Sequence, residues 1–152
     1  MRLVIQRVSS ASVTVAGQIV GRCGRGVCIF AGVRNGDTPA EAKWLADKVA
    51  YLRVFEDAAE KMNRSLLDIH GEALVVSQFT LYANAQRSRR PDFIEAARPE
   101  QAEPLIDYFV EQLRAAGVPT QTGVFRAIMQ VEIHNDGPVT ILLEKDHETG
   151  NP

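Results

Sequence analysis

The stretch Val75-Val76-Ser77-Gln78-Phe79-Thr80-Leu81 opens as an apolar, β-branched run and closes on hydroxyl and amide side chains interleaved with Phe79 and Leu81. Branched side chains pack well on a pleated surface, so residues 73–81 read as a core strand. Polar residues alternating at the end of such a strand hold two hydroxyls, an amide and several backbone N–H groups in one rigid place. Two readings share these residues. One is a strand whose Ser and Thr satisfy local backbone groups; the other is the lip of a reactive site.

Toward the N-terminus, Thr38-Pro39-Ala40-Glu41 has a capping residue, a proline at the first helical position and a glutamate completing a capping box. Ala42, Leu45, Ala46, Val49 and Leu52 then follow helical spacing and form one apolar face. Trp44 lies off that stripe and is expected to cover an edge. The apolar run 27–33 suits a central strand. Before it, Gly-Arg-Cys-Gly-Arg-Gly matches neither a dinucleotide fingerprint nor a Walker loop, so hairpin turns explain its glycines. Residues 2–8 and 11–15 alternate, and Gly17-Gln18 turns the chain into Ile19-Val20, which predicts an antiparallel meander.

Toward the C-terminus, the polar segment 56–64 reads as a loop and 83–90 as irregular. Arg87, Arg89 and Arg90 precede Pro91-Asp92-Phe93. They form either a solvated loop or a small cationic grip for one or two phosphates or a ribose. A second helix is expected over 99–116, with Leu105, Tyr108, Phe109, Gln112, Leu113 and Ala116 on one face and Gly117 and Pro119 ending it. Strands 128–134 and 139–144 flank Asn135-Asp136-Gly137-Pro138, whose local chemistry is that of a turn. The polar tail 145–152 is expected to be loose. These elements describe one α/β domain over residues 1–152, a largely antiparallel sheet with a barrel-like core and packed helices.

Composition narrows the function. Lys and Arg number 17 against 19 Asp and Glu, a net charge of −2, whereas proteins that grip long nucleic acid usually carry a basic excess. Contact with nucleic acid is therefore expected at an end, with no DNA partner. No apolar run approaches the roughly 18 residues of a membrane span, and no secretory signal opens the chain, so a cytoplasmic location without membrane contact is expected. Cys23 and Cys28 have no neighbouring His cluster and read as buried thiols. Neither a metal nor another cofactor is expected. Of the histidines, His70, His134 and His147, none sits in a nucleophile elbow. Ser77 or Thr80 could attack a carbonyl, but the sequence offers neither an evident base.

Four stretches carry a resemblance: Met1-Arg2-Leu3-Val4-Ile5-Gln6-Arg7-Val8, Ser77-Gln78-Phe79-Thr80-Leu81, Arg90-Pro91-Asp92-Phe93 and Asn135-Asp136-Gly137-Pro138-Val139-Thr140. At this separation they resemble the D-aminoacyl-tRNA deacylases (the D-Tyr-tRNA deacylase family) over nearly the whole chain. One departure is Arg126, where the family pattern usually shows Gly. The resemblance implies hydrolysis of the ester joining a D-amino acid, or glycine, to the terminal ribose of tRNA. It assigns catalysis to Ser77, Gln78, Phe79 and Thr80, with the substrate's 2′-hydroxyl assisting water and backbone N–H groups holding the oxyanion. It also implies a homodimer in which Gly137-Pro138, with a cis bond, enters the partner's pocket and blocks the place of an L side chain. Pocket fit gives only about 1–3 kcal/mol per methylene, so exclusion is the stronger discriminator. Arg7 is expected to brace that loop, the alternative being an exposed strand arginine. Met129 is expected to line the pocket, the alternative being core packing. The competing classes are a non-enzymatic dimer binding an RNA end or nucleotide, and a Ser/Thr hydrolase of small esters.

Overall fold

In the computed structural model, which describes residues 1–147, the chain opens with strand β1 (Arg2–Val15), twice as long as the alternating run 2–8. Between the alternating runs 2–8 and 11–15 the strand carries a bulge. On the strand paired with β1 from the other edge, β8 (Gln130–Glu144), Asn135 faces Val8 and His134 faces Ser10, so Ser9 is the extra residue. A one-residue slip inverts side-chain phase. Leu3, Ile5 and Arg7 therefore point to one face, while Val8, Ala11 and Val13 share the other.

The second edge of β1 is divided. β3 (Gly26–Gly32) pairs antiparallel with residues 2–8 and β2 (Gln18–Cys23) with residues 11–15. β6 (Glu72–Ser77) then adds parallel to β3, and β7 (Thr120–Thr122) parallel to β6. The sheet curls until β2 meets β7, where the Arg22 N–H donates to Gln121 Oε1 at 2.9 Å. The result is a nearly closed, barrel-like sheet of largely antiparallel pairing. Its interior holds Val8, Val13, Cys23, Cys28, Leu74 and Val76.

Helices α1 (Pro39–Tyr51) and α2 (Pro99–Ala115) cover the outer face and pack on each other. Thr38 caps α1 as expected: its Oγ1 accepts from the Ala40 N–H at 3.3 Å, and Glu41 Oε2 accepts from the Thr38 N–H at 2.7 Å. The buried face of α2 is rotated from the expected one, because Ile106 and Val110 are buried while Tyr108 and Gln112 are only half-buried. Trp44 is partly exposed, with the Lys145 ammonium 5.4 Å from its ring.

Three further expectations are corrected. Segment 56–64 is not a loop: β4 (Phe55–Glu56) and β5 (Met62–Arg64) form a small hairpin, its turn held by Asp57. Residues 128–134 and 139–144 are not two strands joined by a turn, since β8 runs through Asn135-Asp136-Gly137-Pro138. The start of the expected loose tail is docked, as the Lys145 N–H donates to Met1 O at 2.9 Å and His147 lies against Gly36. The remainder of that tail, 148–152, lies outside the described residues.

Candidate active site

A cavity of about 560 Å³ opens at the C-terminal ends of the parallel strands β3 and β6. One wall is apolar, from Ala31 on β3 and Val33 just beyond it to Ala102 and Ile106 on α2. The opposite wall comes from residues 125–127, Met129 and Val131, and Met129 also packs against the barrel's interior cluster. Ser77, Gln78 and Phe79 form the lip.

The strand expected over 73–81 ends at Ser77, and Phe79–Tyr82 is a 3-10 turn. The turn folds back over β3 at Gly32, where a Cβ would stand 3.0 Å from both Gln78 O and Leu81 Cβ. Glycine permits that approach. The Gln78 N–H donates to Ala31 O at 2.8 Å, and the Gln78 side-chain amide donates to Thr80 Oγ1. Arg2 pins the far end, with Nη1 donating to Leu81 O at 2.6 Å and its guanidinium 4.6 Å from the Tyr82 ring centroid. The first N–H groups of any helix lack intrahelical partners. Here they belong to Phe79 and Thr80, and neither donates to a backbone group among the described residues. Thr80 itself is exposed and does not line the cavity.

No carboxylate, imidazole, thiol or amine lines this cavity among the described residues. His134 sits on exposed β8 with Nε2 2.9 Å from Glu132, and His147 lies 3.5 Å from Asp146. Cys23 and Cys28 are free and buried; burial pushes their thiols up to about 11 and about 12.

Gly137 and Pro138 occupy a different surface. Gln6 pairs with Thr140 and Val8 with Asn135, leaving residues 136–139 opposite Arg7 alone. The excess chain projects outward, with Gly137 and Pro138 exposed and Val139 returning to the core. The Gly137–Pro138 peptide is cis, and Gly137 has φ +125°, a region that L side chains rarely adopt. Arg7 is not an exposed strand arginine. It is 6% exposed, donating from Nε to Asp136 O at 3.0 Å and from Nη1 to Val54 O at 2.9 Å. The carboxylates of Asp136 at 3.4 Å and Glu56 at 3.8 Å balance its charge. None of residues 132–140 lines the cavity, so within one chain the lip and the Gly-Pro projection stand apart.

Arg87, Arg89 and Arg90 are exposed in a loop closed by reciprocal backbone bonds between Asn84 and Asp92 at 2.9 and 3.0 Å. Phe93, just beyond it, meets Phe79 edge-on at 5.0 Å, so the loop leaves from beside the lip. Sequence reasoning missed Arg2 as the anchor of the turn and the apolar wall of β3 and α2. Periodicity marks those wall residues only as core, because an apolar pocket and an apolar core have the same residue types.

A family model described as D-Tyr-tRNA(Tyr) deacylase matches residues 4–144. A D-aminoacyl-tRNA deacylase from Thermomicrobium roseum is 63% identical over 144 residues, covering 95% of this chain and 94% of the relative. One from Koribacter versatilis is 55% identical over 148 residues, covering 97% and 99%. Among solved structures, one named c-Myc DNA Unwinding Element Binding Protein superposes with a TM-score of 0.91 at 45% identity, over 96% of this chain and 99% of that one. A second, described as a probable eukaryotic D-amino acid tRNA deacylase, gives 0.81 over 93% and 97%; at 16% identity it shows the fold alone.

Proposed function

The chain belongs to the D-Tyr-tRNA(Tyr) deacylase family, and from that membership we propose that it hydrolyses the ester between a D-amino acid and the terminal ribose of tRNA. Products are free tRNA and the free D-amino acid, and glycyl-tRNA is a second substrate. The observation that carries the mechanism is the cavity lined without a side-chain base. An aminoacyl ester is already activated, so the substrate's 2′-hydroxyl can orient or activate the attacking water. Fixed donors then stabilise the oxyanion. The Phe79 and Thr80 N–H groups suit that role, with Ser77 and Gln78 holding the ester and Met129 lining the pocket wall.

Selectivity is assigned to Gly137 and Pro138 of a second copy. Their exposure, their absence from the cavity lining of their own chain and the Arg7 brace support a projection made for a partner. In a homodimer it would occupy the space of an L side chain and leave room for hydrogen, which admits D-aminoacyl and glycyl esters alike. Arg87, Arg89 and Arg90 are proposed to attract the acceptor-end backbone.

A second reading, a dimer that binds a nucleic-acid end without turnover, is favoured by the 45% identity to a solved relative named as a DNA-element binding protein. Stoichiometric binding with no ester cleavage would select it. The mechanism is tested with a substrate whose terminal adenosine lacks the 2′-hydroxyl. It should turn over at least about a hundredfold more slowly, in the range of a missing general-base contribution, while Thr80→Val keeps most of its activity. Full activity on the deoxy substrate would rule out this role of the ribose.

A further inference from the structure

Residues Val124, Phe125, Arg126 and Ala127 lie between β7 and β8, and the last three form part of the cavity wall. Arg126 is the charged side chain among the described lining residues, and it makes no ion pair or side-chain hydrogen bond among the described residues. Its φ is +66°, left-handed backbone that suits glycine and costs any residue with a Cβ. A long cation thus stands unpaired and exposed at a cavity edge, in a conformation that would favour having no side chain.

On the deacylase reading, the cavity receives an ester whose own α-ammonium is positive and whose ribose is neutral. The nearest anion common to every such substrate is the phosphodiester one ribose away, between the last two nucleotides. We propose that Arg126 grips this phosphodiester and so positions the terminal adenosine over the lip formed by Ser77, Gln78 and Phe79. Guanidinium pairs with phosphate through charge-assisted, often bidentate hydrogen bonds, and a contact of this kind fixes register without reading sequence. Arg126 is a positioning residue, distinct from the groups that face the ester.

The test compares kcat/KM on D-tyrosyl-tRNA with kcat/KM on D-tyrosyl-adenosine, which lacks that phosphodiester. In Arg126→Gly and Arg126→Gln the ratio of the two should fall about tenfold, the size of a charged hydrogen bond at an exposed site. Arg126→Lys should keep most of the ratio. The slope of log kcat/KM on tRNA against log salt should become shallower by about 0.7 in the neutral variants, as for one phosphate contact on a single strand. An unmoved ratio in both neutral variants overturns the proposal, as does a fall in Arg126→Lys as deep as in Arg126→Gln. A loss confined to D-aspartyl-tRNA overturns it in favour of a contact with the amino-acid side chain. Wild-type protein inactive on both substrates would instead refute the deacylase reading, and the phosphate grip with it.

Discussion

At the scale of single residues, Arg7 joins the parts most firmly. It lies on the same face of β1 as Leu3 and Ile5, where alternation would place an apolar side chain, and it directs its donors to the Val54 and Asp136 carbonyls. Arg7→Met removes both donors. A buried acceptor left without its partner costs about 1–3 kcal/mol, and the half-exposed carboxylates can rehydrate, so a loss of about 2–3 kcal/mol is expected. Lysine cannot span two separated carbonyls, so Arg7→Lys should recover less than half of that loss. Urea unfolding of the three proteins measures it; both variants within about 0.5 kcal/mol of wild type, the scatter of ordinary surface substitutions, would mean that Arg7 does not hold the projection.

At the scale of elements, legibility follows locality. The start of α1 is readable because a capping box is complete within four residues, Thr38 to Glu41. The course of β8 is not, because Asn135-Asp136-Gly137-Pro138 spells a turn locally while pairing with β1 on both sides holds the chain extended. The lip is half legible. Its residues stand out in the sequence, but the 3-10 turn depends on open space over Gly32, more than forty positions away. The thiols of β2 and β3 read as buried and are buried, which gives them a pH signature. Both are raised from an ordinary 9.0, to about 11 for Cys23 and about 12 for Cys28. The unfolded chain then gives up these protons first, so their contribution to stability is whole below pH 9.0 and is lost as pH rises through about 11 and about 12. Unfolding free energy should decline across that window, and iodoacetamide at pH 8 should label the unfolded protein but not the folded one. Rapid labelling of the folded protein would contradict this burial.

At the scale of the whole molecule, the lip and the Gly-Pro projection lie apart in one chain, and two-fold pairing is proposed to unite them. In the proposed dimer, a two-fold axis would make the two shared sites identical, each cavity taking the partner's projection. Take one variant damaged at the lip, Gln78→Ala with Phe79→Ala, and another damaged at the projection, Gly137→Leu, which places a side chain at φ +125°. Neither homodimer should deacylate selectively. In a mixed dimer both faults fall on one site, leaving the other whole. Random pairing makes half the dimers mixed, so co-refolding should restore about a quarter of the wild-type selective activity. Mixed dimers that form and stay inactive would exclude a shared site. An esterase that separates the two hands of an amino acid is tested most directly by the rate of deacylation of D-tyrosyl-tRNA beside L-tyrosyl-tRNA under the same conditions. Rapid release from the D ester with the L ester left at its spontaneous rate is the predicted result; equal rates, or release from neither, would contradict it.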